Sequence, residues 1–453
     1  MHRPDTSSVR RRFAPRACLA VAALAGVTGS ASGATIVWDG EPLVPGNWTE
    51  PTNWAGDVLP VAGDSAQVNN GGIAVIDAAQ GPVTTGSVVL GNQLNETGTL
   101  RVTGGSLTTT TTDIRIGGNG NATVGNGVGT LEQTGGDIVM NAGNLNVAIG
   151  AAAEFADGTY IMSGGSLLIN SGTIYAVGNR GNGTVNQSGG SAYVRGAAFN
   201  GAIPQSQLNL GRNAATAGSS GTYTLSGGDL TVALLRFGNA DQTSGTPSVN
   251  TFNLQGTGLF RVGDINVVNP NEAGLVTNTF NFTGGTLVAR NINLPALTNA
   301  GGRLSPATLE FGSAAGAQPT NAADVVTSQV GTMNINGAYT QAAPGVLLID
   351  IGSAGNDLIN VTGPAVLAGT VEVTELDGFD PSIGSFYDVL TSPDITGLLT
   401  PVGTTPGGNS YAASVVSGGA GEVLRLTVVP EPGALGMIGA VGLGLLARRR
   451  RRN

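Results

Sequence analysis

The ten residues GTYTLSGGDL, 221–230, decide the fold, because variants of this segment recur along the middle of the chain. Most copies share a Gly-Thr start, an apolar third residue and a Gly-Gly pair. The earlier copies are GTLRVTGGSL (98–107), GTLEQTGGDI (129–138), GTYIMSGGSL (158–167) and GTVNQSGGSA (183–192), and two degenerate copies follow, NTFNLQGTGL (250–259) and NTFNFTGGTL (278–287). Successive copies start 25 to 38 residues apart. A repeat of this length indicates a solenoid, a propeller or a similar array.

Apolar residues alternate within each copy, as Tyr223 and Leu225 do before the glycine pair and Leu230 and Val232 do after it. This period of two is typical of β-strands, and no segment of the mature chain before Pro430 sustains a helical period. A single unit cannot bury its apolar face, but stacked units can. We therefore predict an all-β fold, a parallel β-solenoid (β-helix) of about seven or more coils, each rising about 4.8 Å.

Two further expectations follow from the stacking. Equivalent threonine and asparagine positions should form ladders along the coils. Each Gly-Gly pair should provide a corner with positive φ or a close approach between coils. A β-sandwich or a propeller is the alternative fold, although the irregular spacing disfavours a propeller, whose blades are about 40 or more residues long.

The segments beside the repeats differ from them in composition. Residues 35–90 hold all three tryptophans, Trp38, Trp48 and Trp54, and we interpret them as an N-terminal cap. Residues 91–305 are the glycine-rich solenoid repeats. Residues 306–429 contain longer and more apolar alternating stretches, which predict a C-terminal β domain.

The composition excludes several kinds of chemistry. The chain of 453 residues has 74 glycines, no lysine, and a single histidine and cysteine, His2 and Cys18, both in a segment predicted to be removed. Without them the mature chain lacks Ser-His-Asp or Cys-His catalysis, His or Cys zinc sites, haem ligands, iron–sulfur clusters and disulfides. We predict no cofactor and no metal.

Residues 1–34 have the order of a secretory signal peptide. Five arginines lie within residues 1–17, an apolar run follows from Cys18 to Val27, and small residues precede a cleavage site placed after Ala34. The sequence does not decide between general and twin-arginine export, since Arg10-Arg11-Arg12-Phe13 also resembles the start of a twin-arginine signal.

Residues 430–453 form the other terminal segment. Pro430-Glu431-Pro432 comes first, an apolar run reaches Ala447, and five arginines end the segment: Arg448, Arg449, Arg450, Arg451 and Arg452. The fifteen residues 433–447 would span about 22 Å as a helix, against about 30 Å for a bilayer core. We predict a short transmembrane helix whose arginines stay cytoplasmic and stop export.

Three elements in this order resemble the PEP-CTERM sorting tail of Gram-negative bacteria. The resemblance implies recognition of Pro430, Glu431 and Pro432 by an exosortase, a membrane transpeptidase of bacteria that make exopolysaccharide. The region before the tail resembles, in its pattern alone, the autotransporter-type β-strand-repeat proteins. Together these imply a protein that is exported, held briefly in the inner membrane, and then moved to the cell surface or extracellular matrix.

Charge and acid placement bear on partners and catalysis. Residues 35–429 carry a net charge of −17, which should repel nucleic acid, and also acidic polysaccharide unless cations bridge. Some β-helix proteins degrade polysaccharides, but the acids Asp137 and Asp229 should lie three coils apart, about 14 Å. That distance exceeds the roughly 5–9.5 Å of a glycosidase pair. Arg115 and Arg236 also look isolated along the sequence.

Three functions remain open. The first is a non-enzymatic structural protein of the cell surface or exopolysaccharide matrix. The second is an adhesin or glycan-binding protein, in which Trp48 and Trp54 would stack on sugar rings. The third is a polysaccharide-degrading enzyme, which needs an acid cluster that the sequence does not show.

Overall fold

Each repeat folds into one coil that places short strands on three faces, so the predicted parallel β-solenoid is confirmed, with about 11 turns. The computed structural model describes residues 33–93, 95–118, 127–150, 156–170, 174–195, 206–212, 218–238, 247–267, 276–311, 323–419 and 421–431. Strand is the main element, and the described residues contain no α-helix, only five 3₁₀ turns. These turns are Pro51–Asn53, Ala55–Asp57, Ala78–Gln80, Ala323–Val325 and Leu376–Gly378.

Face 1 is a 13-stranded parallel sheet formed by the segments before the glycine pairs. Its strands are Pro45–Asn47, Gly72–Ile76, Thr97–Val102, Val128–Gln133, Ala156–Met162, Gly181–Gln187, Ser220–Leu225, Ser248–Leu254, Val276–Phe282, Ala296–Asn299, Ala338–Gln341, Ala365–Leu367 and Ile395–Gly397.

Faces 2 and 3 belong to one 25-stranded sheet, because most coils contribute two strands to it. Face 2 contains Pro82–Thr85, Ser106–Thr109, Asp137–Met140, Ser166–Ile169, Ser191–Val194, Arg303–Pro306, Val346–Gly352, Thr370–Glu375 and Thr400–Val402. Face 3 contains Thr35–Val37, Ser65–Val68, Ser87–Leu90, Ile114–Ile116, Leu145–Ile149, Ile174–Asn179, Gln207–Arg212, Thr332–Ile335, Leu358–Val361 and Phe386–Ser392. Three longer strands run through both faces: Asp229–Phe237, Leu259–Val267 and Thr286–Asn293.

The coils stack in register, and the predicted ladders are present. The threonine in the second position of the repeat is a Cα partner of its equivalent in the next coil, so seven threonines form six successive pairs: Thr99, Thr130, Thr159, Thr184, Thr222, Thr251 and Thr279. On face 3, Asn334 donates to Asn291 Oδ1 at 2.9 Å and Asn360 donates to Asn334 Oδ1 at 3.2 Å. These amide bonds follow the stacking direction, as in other in-register sheets.

The glycine pair forms the corner between faces 1 and 2, and both predicted reasons for it are confirmed. Gly228 has φ +74°, a left-handed conformation that favours glycine. A Cβ on Gly227 would lie 2.4 Å from the carbonyl oxygen of Ser188 in the preceding coil. One glycine therefore supplies the turn, and the other allows the coils to approach closely.

One hydrophobic core runs through the stack from Trp38 to Val428. Parallel pairing continues through residues 35–90 and through most of 306–429, as the pairs of Thr35–Val37 with Ser65–Val68 and of Val346–Gly352 with Thr370–Glu375 show. The domain limits expected at 90/91 and 305/306 therefore do not interrupt the stack. A short antiparallel pair, Thr308–Leu309 with Val326–Ser328, leaves the stack, and apolar residues around it pack on the outside of face 2.

An antiparallel hairpin closes the C-terminal end. Ser410–Gly418 pairs with Gly421–Val429, which pairs on its other side with Phe386–Ser392. A second small antiparallel strand, Gly355–Asn356, pairs with the end of Val346–Gly352. The predicted signal peptide, apart from residues 33 and 34, and the predicted transmembrane helix lie outside the described residues. Within residues 33–431, leaving out the gaps given above, no helix is long and apolar enough to cross a membrane.

Candidate functional site

The three tryptophans form a cluster inside the first coils. Trp38 and Trp54 meet edge to face with ring centroids 5.0 Å apart, and Trp48 meets Trp54 in the same way at 4.8 Å. Trp54 Nε1 also donates to the carbonyl oxygen of Trp48 at 2.7 Å. Trp48 and Trp54 are 1% and 0% exposed. The expectation that they contact a glycan is therefore corrected, because neither ring has a face open to a sugar.

The two acids of the Gly-Gly-Asp copies stay apart. Asp137, Ser166, Ser191 and Asp229 are successive Cα partners on face 2, so Asp137 and Asp229 are three coils apart, as the sequence predicts. Each acid has a partner in a neighbouring coil. Ser166 Oγ donates to Asp137 Oδ1 at 2.5 Å, and Arg261 Nη1 lies 4.0 Å from Asp229 Oδ2. Among the residues with described positions, no group of three or more Asp, Glu, His or Cys side chains could hold a metal ion.

The buried carboxyl of Asp357 has a structural environment. Its Oδ1 accepts from the Gly331 amide at 2.7 Å, and its Oδ2 accepts from the Asp350 amide at 2.9 Å. Burial raises the pKa of Asp357 to about 7, although both amides act in the opposite direction. The side chain is 0% exposed. Its two bonds attach the segment that follows Gly355–Asn356 to Gly331 and to the strand Val346–Gly352.

The sorting motif begins where the fold ends. Pro430 and Glu431 follow directly on the last strand, Gly421–Val429, and Glu431 is exposed. That strand is fixed on both edges, and Arg425 forms a bidentate pair with Asp388 at 2.7 and 3.0 Å. Pro432 and the arginines Arg448, Arg449, Arg450, Arg451 and Arg452 lie outside the described residues.

A column of Cα partners on face 3 brings together residues that the sequence separates, and its three middle members, Asn146, Ala176 and Asn209, are buried. Arg115, Asn146, Ala176, Asn209 and Arg236 are successive Cα partners, so Arg115 and Arg236 share one column, four coils apart. We refer to these five residues as the face 3 column. Arg115 and Arg236 are far from each other, as the sequence predicts, but two further arginines lie beside Arg236.

Arg180 and Arg212 are these two arginines, and they lie where face 3 passes towards face 1. The amide of Arg180 donates to the carbonyl oxygen of Arg212 at 3.2 Å, so the two occupy adjacent coils. Burial lowers the pKa of Arg212; the guanidinium groups of Arg236 and Arg180 lower it further, and Asp113 raises it. The guanidinium group of Arg212 therefore lies close enough to those of Arg180 and Arg236 to be repelled by both.

A polar groove of about 200 Å³ lies at the N-terminal end of the same column. It is lined by Ser65, Gln67, Ser87, Val89, Asn92, Thr112, Asp113 and Arg115. Asn92 is 7% exposed and donates to Gln67 Oε1 at 3.1 Å, while its own Oδ1 is buried without a hydrogen-bond partner. Asp113 accepts from the Asn144 amide at 2.8 Å and from Asn146 at 3.1 Å.

The arginines beside the column are the functional candidates that sequence reasoning missed. Their signal was an arginine within or just after the second apolar run of a unit, as in AVGNR (176–180), LNLGR (208–212) and LLRFG (234–238). No family model matches the chain, and no curated protein matches it significantly.

Proposed function

We propose that this chain is an exported, non-enzymatic structural protein of the cell surface or exopolysaccharide matrix, sorted through its C-terminal tail by an exosortase-type transpeptidase. The observation that carries the proposal is the position of Pro430 and Glu431. They follow the last strand directly, and Glu431 is exposed, so the motif can be reached without unfolding the solenoid.

The chemistry of the tail agrees with this role. Two prolines keep the motif extended and non-helical, which separates the last strand from the apolar run. The terminal arginines would hold the apolar run in the inner membrane, and the motif would then lie at or just outside the bilayer. Glu431 supplies the only charge that a recognition pocket could read in this stretch.

The experiment compares two variants by cell fractionation. Pro430→Ala combined with Glu431→Ala should leave an uncleaved form in the inner membrane. Deletion of Arg448–Arg452 should instead let the chain pass through the membrane unprocessed. Equal processing of both variants and the unaltered chain would contradict the sorting proposal.

Glycan binding is the second candidate function. With Trp48 and Trp54 buried, its support comes from the face 3 column and the groove beside it. The groove presents amide and carboxylate groups and the neighbouring arginines present guanidinium groups, which together can hydrogen-bond the hydroxyl and acidic groups of a sugar chain.

A further inference from the structure

Nine of the ten arginines of residues 33–431 divide into two groups, and Arg195 belongs to neither. Six of the ten form ion pairs: Arg101 with Glu132, Arg115 with Asp113, Arg261 with Asp229, Arg290 with Asp264, Arg303 with Glu372, and Arg425 with Asp388. Arg180, Arg212 and Arg236 form no ion pair with any carboxylate that the structure describes. These three occupy three successive coils beside the same column.

Their burial makes the lack of a direct ion pair significant. All three are half-buried, and the Nε of Arg236 is buried without a hydrogen-bond partner. A guanidinium group that has lost water without gaining an acceptor costs free energy. An anion placed over the three groups would relieve the repulsion that Arg180 and Arg236 exert on Arg212.

We propose that this surface binds an extended anionic polysaccharide, whose carboxylate or sulfate groups contact Arg180, Arg212 and Arg236. Guanidinium groups hold carboxylate and sulfate-like oxygens by paired hydrogen bonds. The three arginines lie on three successive coils, Arg180 and Arg212 at the end of face 3 and Arg236 within the column. Because the coils rise by about 4.8 Å each, an extended polymer along the stack would pass all three.

The neighbouring groove favours a sugar over a simple anion. Gln67 and Asn92 present amide groups there, and the buried Oδ1 of Asn92 lacks a donor that a hydroxyl group would supply. The groove and the three arginines adjoin the same column, whose register runs from Gln67 through Val89 and Arg115 to Arg236. The residues between them, Asn146, Ala176 and Asn209, are 1%, 0% and 3% exposed, so the groove and the arginines are separate points of contact for a sugar chain.

The distribution of charge allows an acidic protein to bind a polyanion at this place. Residues 101–300, which include the coils of the three arginines, contain nine acids and eight arginines, so most of the net charge of −17 lies in the other coils. Repulsion over more than about 8 Å is largely screened at physiological salt. Nucleic acid fits less well, because the face 3 column has no aromatic side chain on which bases could stack.

This inference deepens the glycan-binding candidate and does not depend on how the tail is processed. The test therefore uses the purified full chain in mild detergent, and titration calorimetry measures its binding to polygalacturonate, neutral dextran and oligo-dT. The altered protein is R180Q/R212Q/R236Q. The matched control, R101Q/R290Q/R303Q, removes the same charge from arginines whose side chains are 36–42% exposed.

Polygalacturonate should bind the unaltered chain and the control alike, dextran should not bind, and rising salt should weaken binding. The R180Q/R212Q/R236Q protein should bind at least roughly tenfold more weakly, about 1.4 kcal/mol. If that triple variant unfolds, R236Q alone should still weaken binding. Absence of polygalacturonate binding, equal loss in the control, or equally tight binding of oligo-dT would overturn the proposal.

Discussion

The phenol of Tyr223 donates a 2.5 Å hydrogen bond to Gln187 Oε1 inside the solenoid, and the two residues belong to successive coils. Gln187 Nε2 in turn donates to the carbonyl oxygen of Asp229 at 2.9 Å and, at 3.4 Å, to that of Gly190. Tyr160 and Gln133 repeat the arrangement. A buried glutamine thus ties the glycine corner of its own coil to the start of face 2 in the next coil.

Replacing this glutamine should weaken the stack. Gln187→Met removes the acceptor of the Tyr223 phenol and a donor to the carbonyls of Gly190 and Asp229, although the Gly190 carbonyl keeps the Asp229 amide at 2.9 Å. An unpaired buried polar group costs about 1–3 kcal/mol. We expect a clearly lower urea midpoint, while Asn186→Ala at the exposed neighbour changes little. Adding Tyr223→Phe to Gln187→Met should recover part of the loss. An unchanged midpoint for Gln187→Met would show that the bonds contribute nothing.

The glycine corners should be intolerant of side chains. Gly227→Val with Gly228→Val forces a Cβ towards Ser188 O and a β-branched residue into positive φ, so we expect destabilisation by several kcal/mol. Gly419→Val is the control, because a Cβ there meets no atom within 4 Å. Thermal unfolding measures both. If the double variant and the unaltered protein unfold at the same temperature, the glycines do not determine the corner.

The buried carboxyl of Asp357 should make stability depend on pH. Its pKa is about 7 in the folded chain, against the model-peptide value of 3.8. Between these values the folded state binds more protons than the unfolded state, so stability falls as pH rises from about 4 to 7 and then levels off. The change should be on the order of 2–4 kcal/mol.

Chemical denaturation at pH 4.5 and pH 7.5 measures this effect. Asp357→Asn should flatten the difference between the two pH values, whereas Asp57→Asn in an exposed turn of the first coils should keep it. If the free energy of unfolding depends on pH to the same extent in all three proteins, other acids cause the dependence.

Tryptophan fluorescence should report the first coils alone, since all three tryptophans lie in one buried cluster. We expect emission shielded from iodide and unchanged by polygalacturonate. Trp54→Ala should cost about 3–5 kcal/mol, as truncations of large buried side chains do. Strong iodide quenching in the folded protein would show that Trp48 and Trp54 are exposed and would contradict this prediction.

The fold was predictable from the repeats because one pattern contained both the strand period and the corner glycines. The coils beyond residue 305 were not recognised, since Gln341 and Gly345 mark a corner there without the Gly-Gly pair. The three arginines were missed for another reason. Unit lengths vary, so Arg180, Arg212 and Arg236 become neighbours only when the register of face 3 is known.

The sequence alone does not decide whether the tryptophans are buried, because closely spaced tryptophans are typical both of a solenoid cap and of a sugar-binding platform. What separates the two is the packing of Trp54 between Trp38 and Trp48. Long-range pairing creates that packing, since Trp38 joins the stack by donating its amide to the carbonyl oxygen of Gln67.

The measurement that tests the account most directly is the intact mass of the unaltered protein recovered from the cell surface. Export and sorting predict a chain that begins near Thr35 and ends close to residue 430, without the apolar run and the terminal arginines. A surface protein that still ends at Asn453 would contradict the sorting proposal.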